Sequence, residues 1–148
     1  MTGKLIYLSS PYTHKDPAVR QRRFEIVCCC AAILKRAGCF VFSPIVHAHP
    51  IVLAHGVPVG WDYWKVFDRM MVERSQAVLI AEIDGWQESV GVTEEHSIAR
   101  ELGLPVGFLA EPENEELVTH YVRSAGLVGI DMTGITCGDS STYIERKT

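Results

Sequence analysis

The sequence has no long apolar run, no surplus of positive charge, no regular cysteine spacing and no internal repeat. Each absence removes a class of protein. The longest apolar segment, IVCCCAAIL at 26–34, is too short for a transmembrane helix. Lys and Arg number 14 against 18 Asp and Glu, a formal net charge of −4, which argues against a protein built to hold a nucleic-acid polymer. The five cysteines are an odd number, three are consecutive, and no CxxC pair occurs, so neither a disulfide framework nor a thiolate metal site is indicated. They read as reduced, buried thiols of a cytoplasmic protein. Lys4 leads into a short strand-like run, so no secretory signal pattern is expected.

What is present fits one globular domain over 1–148, because 148 residues suffice for a sizeable core and a 47% hydrophobic share is ordinary for a globular chain. Apolar runs alternate with helix-period segments. KLIYLS (4–9), CFVFS (39–43), AVLIAEI (77–83) and PVGFLA (105–110) read as strands. Helices are predicted over 18–37, with Phe24, Val27, Ala31 and Leu34 on one stripe, over about 61–75, over Val92–Leu102 and over 113–125. The segment 44–60 carries three prolines and reads as long and irregular. One further strand is expected at 127–131, within an irregular C-terminal tail at 127–148. Strands separated by helices predict an α/β, Rossmann-like or flavodoxin-like three-layer sandwich with a mostly parallel sheet of four to five strands. Such sheets bind ligands beyond the carboxyl ends of their strands. The loops SSPYTH, SPIVHAHP and DGWQES are therefore the expected walls of a site.

One glutamate stands out against this plan. In the helix predicted over Val92–Leu102 the core residues are Ile98, Ala99 and Leu102. At about 100° per residue, Glu95 falls roughly 15° from the centre of that face and Glu94 roughly 90° away. Glu94 suits a first-turn acid that complements the helix dipole. A carboxylate aimed at the core, as Glu95 is, needs a partner or a function. Gly91 lets a ligand approach the backbone just before it. Ser89 stands at the helix start, either as a cap or as part of an anion cradle.

These residues carry a resemblance. SVGVTEE (89–95) resembles the signature of the nucleoside 2′-deoxyribosyltransferase superfamily, IYLSSPYT (6–13) its first strand and substrate loop, and FDRMMVERSQAVLIAEIDGW (67–86) the helix, strand and loop before the motif. The likeness covers roughly 4–110, and SPYTH, FSPIVHAHPI and DGWQESVGVTEE together look most like a little-characterised branch, a domain of unknown function. The resemblance implies that Glu95 is the nucleophile that attacks the anomeric carbon. It implies that Asp68, or alternatively Glu73, assists the leaving base, and that Tyr7 holds the nucleophile. Ser9, Ser10, Ser89 and Gly91 then lie against the substrate. It also implies a homo-oligomer, a dimer or higher, with the 113–125 helix and tail as donor to a neighbouring pocket. Members acting on nucleosides usually have aspartate where this chain has Ser89, and the nucleotide N-glycosidase branch has serine. The expected substrate is therefore a (deoxy)nucleoside 5′-monophosphate. Deoxyribosyl transfer, or nucleotide binding without catalysis, are the alternatives. A phosphoribohydrolase with a PGGxGT run is a further one, but that run is absent here.

The chemistry asks for such residues. Cleavage of an N-glycosidic bond passes through an oxocarbenium-like state, which a buried carboxylate stabilises and can trap. A second acid helps the base depart. Trp86, Trp61 or Trp64 can stack on a base, though tryptophans at loop edges more often pack. His47, His49 and His55 with Asp62 match no zinc spacing and read instead as a pocket wall, so no metal and no cofactor is expected. Arg20 or Arg23, in VRQRR (19–23), can reach a phosphate, though such runs are commonly a solvated face. Cys28, Cys29 and Cys30 read as core. No membrane partner is expected.

Overall fold

The structure, a computed structural model, describes residues 3–136. The chain runs β1 (Leu5–Ser9), α1 (Pro17–Arg36), β2 (Phe40–Phe42), α2 (Pro44–His55), α3 (Trp61–Glu73), β3 (Ala77–Ala81), α4 (Val90–Glu101), β4 (Val106–Leu109) and α5 (Glu115–Ser124). All strand pairs are parallel, and the sheet order is β2-β1-β3-β4. The expected α/β three-layer sandwich with four strands is thus present.

Topology explains the layers. The chain leaves β1 towards β2 on one side, then returns across β1 to β3 and continues to β4. Crossovers between parallel strands are right-handed, so opposite directions of travel put their helices on opposite faces. One core lies under α1 and α5 and contains Ile6, Leu8, Val27, Leu34, Val118 and Val122. The other lies under α3 and α4 and contains Tyr7, Val72, Val78, Ile80, Val92 and Ile98. Strand side chains alternate between faces. Tyr7 and Ser9 therefore share the α4 side, and Ile6 and Leu8 the α1 side. The reversal of chain direction between β1 and β3 opens a crevice at their carboxyl ends.

Four expectations are corrected. The segment read as irregular at 44–60 contains α2. Ser43 caps it by accepting from Val46 N–H, Pro44 fills the first turn where no donor is needed, and Gly56 ends it at φ 64°. The positions of the prolines mattered more than their number, and only Pro50 is interior. No strand forms at 127–131. Leu127 is buried there, and the N–H groups of Gly129 and Ile130 both bond to the carbonyl of Gly38 instead of to a strand. The rest of the expected tail, 137–148, lies outside the described residues. Finally, Leu102 is 41% exposed at the end of α4, whose inward face is Val92, Glu95, Ile98 and Ala99. Of the three consecutive cysteines only Cys30 is core; Cys29 is exposed.

Candidate active site

Glu95 is 4% exposed, on the inward stripe of α4. Its carboxylate faces the carboxyl end of β1. Tyr7 Oη donates to Oε1 at 2.7 Å and Ser9 Oγ donates to Oε2 at 2.5 Å. The two donors are adjacent positions on one face of the same strand, so the sheet itself sets their spacing. Each oxygen keeps lone-pair capacity beyond its single bond.

Asp68 stands on α3, which buries only Asp68 and Val72 fully. It is 5% exposed, and its Oδ1 has no hydrogen-bond partner. Burial pushes its carboxyl up to about 7. Burial likewise pushes Glu95 up to about 8, against the lowering pull of Ser9 and Tyr7, and the charge of Asp68 adds to the rise. Tyr7 is held well above the ordinary phenol range by burial first and then by the charges of Glu95 and Asp68. The two carboxyls therefore titrate as a coupled pair about a unit apart. Taken singly, those values leave the shared proton on Glu95, but the hydrogen bonds favour the reverse: both donors serve Glu95 and none serves Asp68 Oδ1, so the donors prepare Glu95 for negative charge and leave Asp68 to take the proton.

Both carboxyls line a cavity of about 430 Å³. That volume suits a nucleoside-sized ligand. The cavity is lined by α4 with Ser89, Gly91 and Glu95, by α2 with Ala48 and Val52, and by the start of α3 with Trp61 and Trp64. Ser10 also lines the cavity, and its Oγ, like Asp68 Oδ1, is buried without a partner. Buried polar atoms are rarely left so, and two of them on one cavity are what a polar ligand would satisfy. Gly91 leaves room here. A β-carbon would meet protein only at 3.9 Å, from Ser89 Oγ and Trp61, so packing does not demand the glycine. Ser89 is the N-cap of α4 and accepts from Val92 N–H at 3.3 Å, which leaves its own hydrogen to donate.

The structure thus brings Glu95, Asp68, Tyr7, Ser9, Ser10, Ser89 and Gly91 together. Trp86 is not on the cavity; it packs half-buried against Phe108, ring centroids 5.7 Å apart. Trp61 and Trp64 take the wall instead. Glu73, the alternative acid, is on the outer face of α3, paired with Arg69 at 3.0 Å. Neither arginine lines the cavity. Arg23 donates to the carbonyls of Tyr12, Thr13 and Asp84 and so ties the loops after β1 and β3 together, and Arg20 donates to the carbonyl of His14. No lysine, arginine or histidine is among the lining residues. Glu88 stands at the rim beside Ser89, and Asp62 stands there paired with Lys65 at 3.2 Å. Among the described residues no group of three or more His, Cys, Asp or Glu is placed to hold a metal.

Tyr12, expected only as part of a loop, lines the cavity. His49, expected as a pocket wall, is not among the lining residues; it stands behind Tyr12 at hydrogen-bond distance, on a helix in the segment read as irregular. A larger groove of about 1220 Å³ follows the outer side of α3 past Tyr63, Val66 and Met70, and it contains neither Asp68 nor Glu95.

Residues 4–111 match a family described as a domain of unknown function (DUF1937), and the chain belongs to that family. The match runs from β1 through β4 and so includes every residue of the site. No curated protein matches the chain. Among the described residues no helix is long and apolar enough to cross a membrane.

Proposed function

We propose that this member of the DUF1937 family is an N-glycosidase that cleaves the base–sugar bond of a nucleoside through Glu95. The observation that carries the reading is one cavity holding two buried carboxyls of opposite preparation: Glu95 with a donor on each oxygen, and Asp68 with none on Oδ1. In the reaction an oxygen of Glu95 bonds to the anomeric carbon as the bond from that carbon to the base nitrogen breaks. The proton of Asp68 passes to the departing base. Water then attacks the sugar ester, Asp68 takes back a proton, and Glu95 is released as carboxylate. A second base in place of water would make the same site a deoxyribosyltransferase.

A 5′-monophosphate is the other substrate to weigh, and Ser89 at the start of α4 is the feature that favours it. Against it stand the lack of any cationic lining residue and the carboxylate of Glu88 next to Ser89. A like charge near the surface at a few ångströms disfavours phosphate by about 1 kcal/mol or more. The nucleoside is therefore the better fit. Free base, separated by chromatography from a panel of nucleosides and their monophosphates, tests this. The expected outcome is release from at least one nucleoside with kcat/KM about fivefold or more above its monophosphate, and a narrower gap in Glu88→Gln. A monophosphate preference that Glu88→Gln leaves untouched would return the assignment to the nucleotide.

The chain is also proposed to act as a homo-oligomer. Support comes from the outer stripe of α3, where Tyr63, Val66 and Met70 are exposed at helical spacing. The helix expected with the tail to serve a neighbour, α5, buries Val118 and Val122 against its own chain and leaves Leu117 exposed.

A further inference from the structure

We propose that Tyr12 reads the departing base as a hydrogen-bond acceptor, because a directed chain of hydrogen bonds through His49 and Gln21 to Glu25 takes up its only proton. This deepens the glycosidase reading and rests on it.

The direction of the chain follows from its far end. The Gln21 amide nitrogen donates to Glu25 Oε1 at 3.1 Å, which turns Gln21 Oε1 towards His49. His49 Nε2 lies 2.9 Å from that oxygen. An amide oxygen only accepts, so Nε2 carries the hydrogen. The other ring nitrogen of a neutral imidazole is then a bare acceptor. Tyr12 Oη lies 2.5 Å from His49 Nδ1 and must be the donor.

The imidazole has reason to stay neutral. His49 is 2% exposed, with its ring 4.3 Å from that of Phe24 and edge-on to Tyr12. Burial, and then the charge of Arg20 from α1, hold it below the ordinary histidine range. Arg20 also donates a side-chain hydrogen bond to the Tyr12 oxygen, and its charge and that bond pull the phenol down, but burial outweighs both, so the phenol keeps its proton. No carboxylate contributes to either shift.

Tyr12 lines the cavity together with apolar residues of α2 and tryptophans of α3. Its hydroxyl is tied to α2, whose Ala48 and Val52 line the cavity together with Trp61 and Trp64 of α3 and Glu95 of α4. A sugar placed over Glu95 extends its base towards the tryptophans and Tyr12. With its hydrogen turned to His49 and one lone pair taken by Arg20, Tyr12 presents its remaining oxygen lone pair and favours a base that offers an N–H, such as an exocyclic amine, over the same ring without it.

Two measurements on the full chain test this. In nitrogen-15 spectra without ligand, His49 is expected as the neutral Nε2–H tautomer near pH 7.5; an Nδ1–H tautomer or a charged ring overturns the proposal. The second measurement is kcat/KM for matched deoxynucleosides, purine and pyrimidine, with the ring amine present or replaced by hydrogen. The wild type should favour the amine about tenfold, chiefly through KM. Tyr12→Phe should reduce that preference to about twofold or less by losing the amine-bearing substrate alone. Should Tyr12→Phe not fold, Gln21→Met, on the exposed side of α1, releases the His49 tautomer and should also lower the preference. Base release with no amine preference, or with a preference that survives the variant, overturns the role of Tyr12 and leaves the glycosidase reading standing. Release from no nucleoside, with the Nε2–H tautomer in place, overturns the reading beneath it.

Discussion

Glu95 and Asp68 share a cavity that no cation lines, so each makes the other's ionisation dearer, and burial raises both. The active state carries one proton across the pair. With carboxyls near 7 and 8, kcat/KM should fall on the acid side of about 7, where both are protonated, and on the alkaline side of about 8, where both are charged. Asp68→Asn should remove the alkaline limb, leave the acid limb at about 7 or slightly above and slow turnover by about 10²-fold or more. Stability shows the same pair with the opposite demand. A carboxyl whose folded value is raised contributes fully below its unfolded value and loses that contribution as pH rises through the folded value. The protein should therefore lose stability between about pH 4.5 and pH 8 from these groups. Glu95→Gln should be nearly neutral at pH 4 and stabilising by about 1–3 kcal/mol at pH 8, while abolishing turnover. Urea unfolding at the two pH values checks it, and a variant equally destabilised at both would mean that Glu95 is held as a structural anion. Glu95 was legible because its angle on a helix of strong period is fixed by the apolar residues around it. Tyr7 and Ser9 followed from the resemblance, and strand alternation accounts for their joint hold on Glu95. Tyr12 with His49 was not legible, because a pair joining a loop to a distant helix leaves no periodic trace.

α2 carries the fold's clearest local conflict. Pro50 lies inside it, lacks the N–H that would bond to Val46, and is exposed, so little packing depends on its ring. Interior proline costs a helix about 3 kcal/mol. Part of that returns through the stiffer unfolded chain. Pro50→Ala should raise stability by about 1–2 kcal/mol, or a few degrees in Tm. A fall in Tm would show that the proline shapes the cavity wall made by Ala48 and Val52. The strands were legible from their apolar runs, β3 above all, since all five of its residues are buried. α2 was not, because its cap, first-turn proline and terminal glycine are positional signals, and a count of prolines conceals them. The strand expected at 127–131 failed for a different reason: an apolar run there docks on Gly38 rather than on a sheet edge.

At the scale of the whole molecule, the parallel sheet places the ends of β1 and β3 side by side, where the cavity takes Tyr12 from the loop after β1 and Glu95 from α4. The family match ends at residue 111, just after β4, so α5 lies outside it while the site lies inside. The exposed stripe of α3 runs beside the cavity without entering it. If that stripe joins two copies, light scattering should give at least twice the 16.5 kDa chain mass, and Val66→Glu should give the single-chain mass; a wild type that runs as one chain while active would remove the oligomer from the account. The central claim is that Glu95 bonds to the sugar. The most direct test is the mass of the protein after reaction with a 2′-fluorinated nucleoside chosen for its releasable base, since fluorine slows loss of the sugar ester more than the base is slowed in leaving. The account predicts one added sugar, located on the peptide that carries Glu95 and absent from Glu95→Gln. Base release by a protein whose Glu95 stays unmodified, or an adduct that persists in Glu95→Gln, would contradict it.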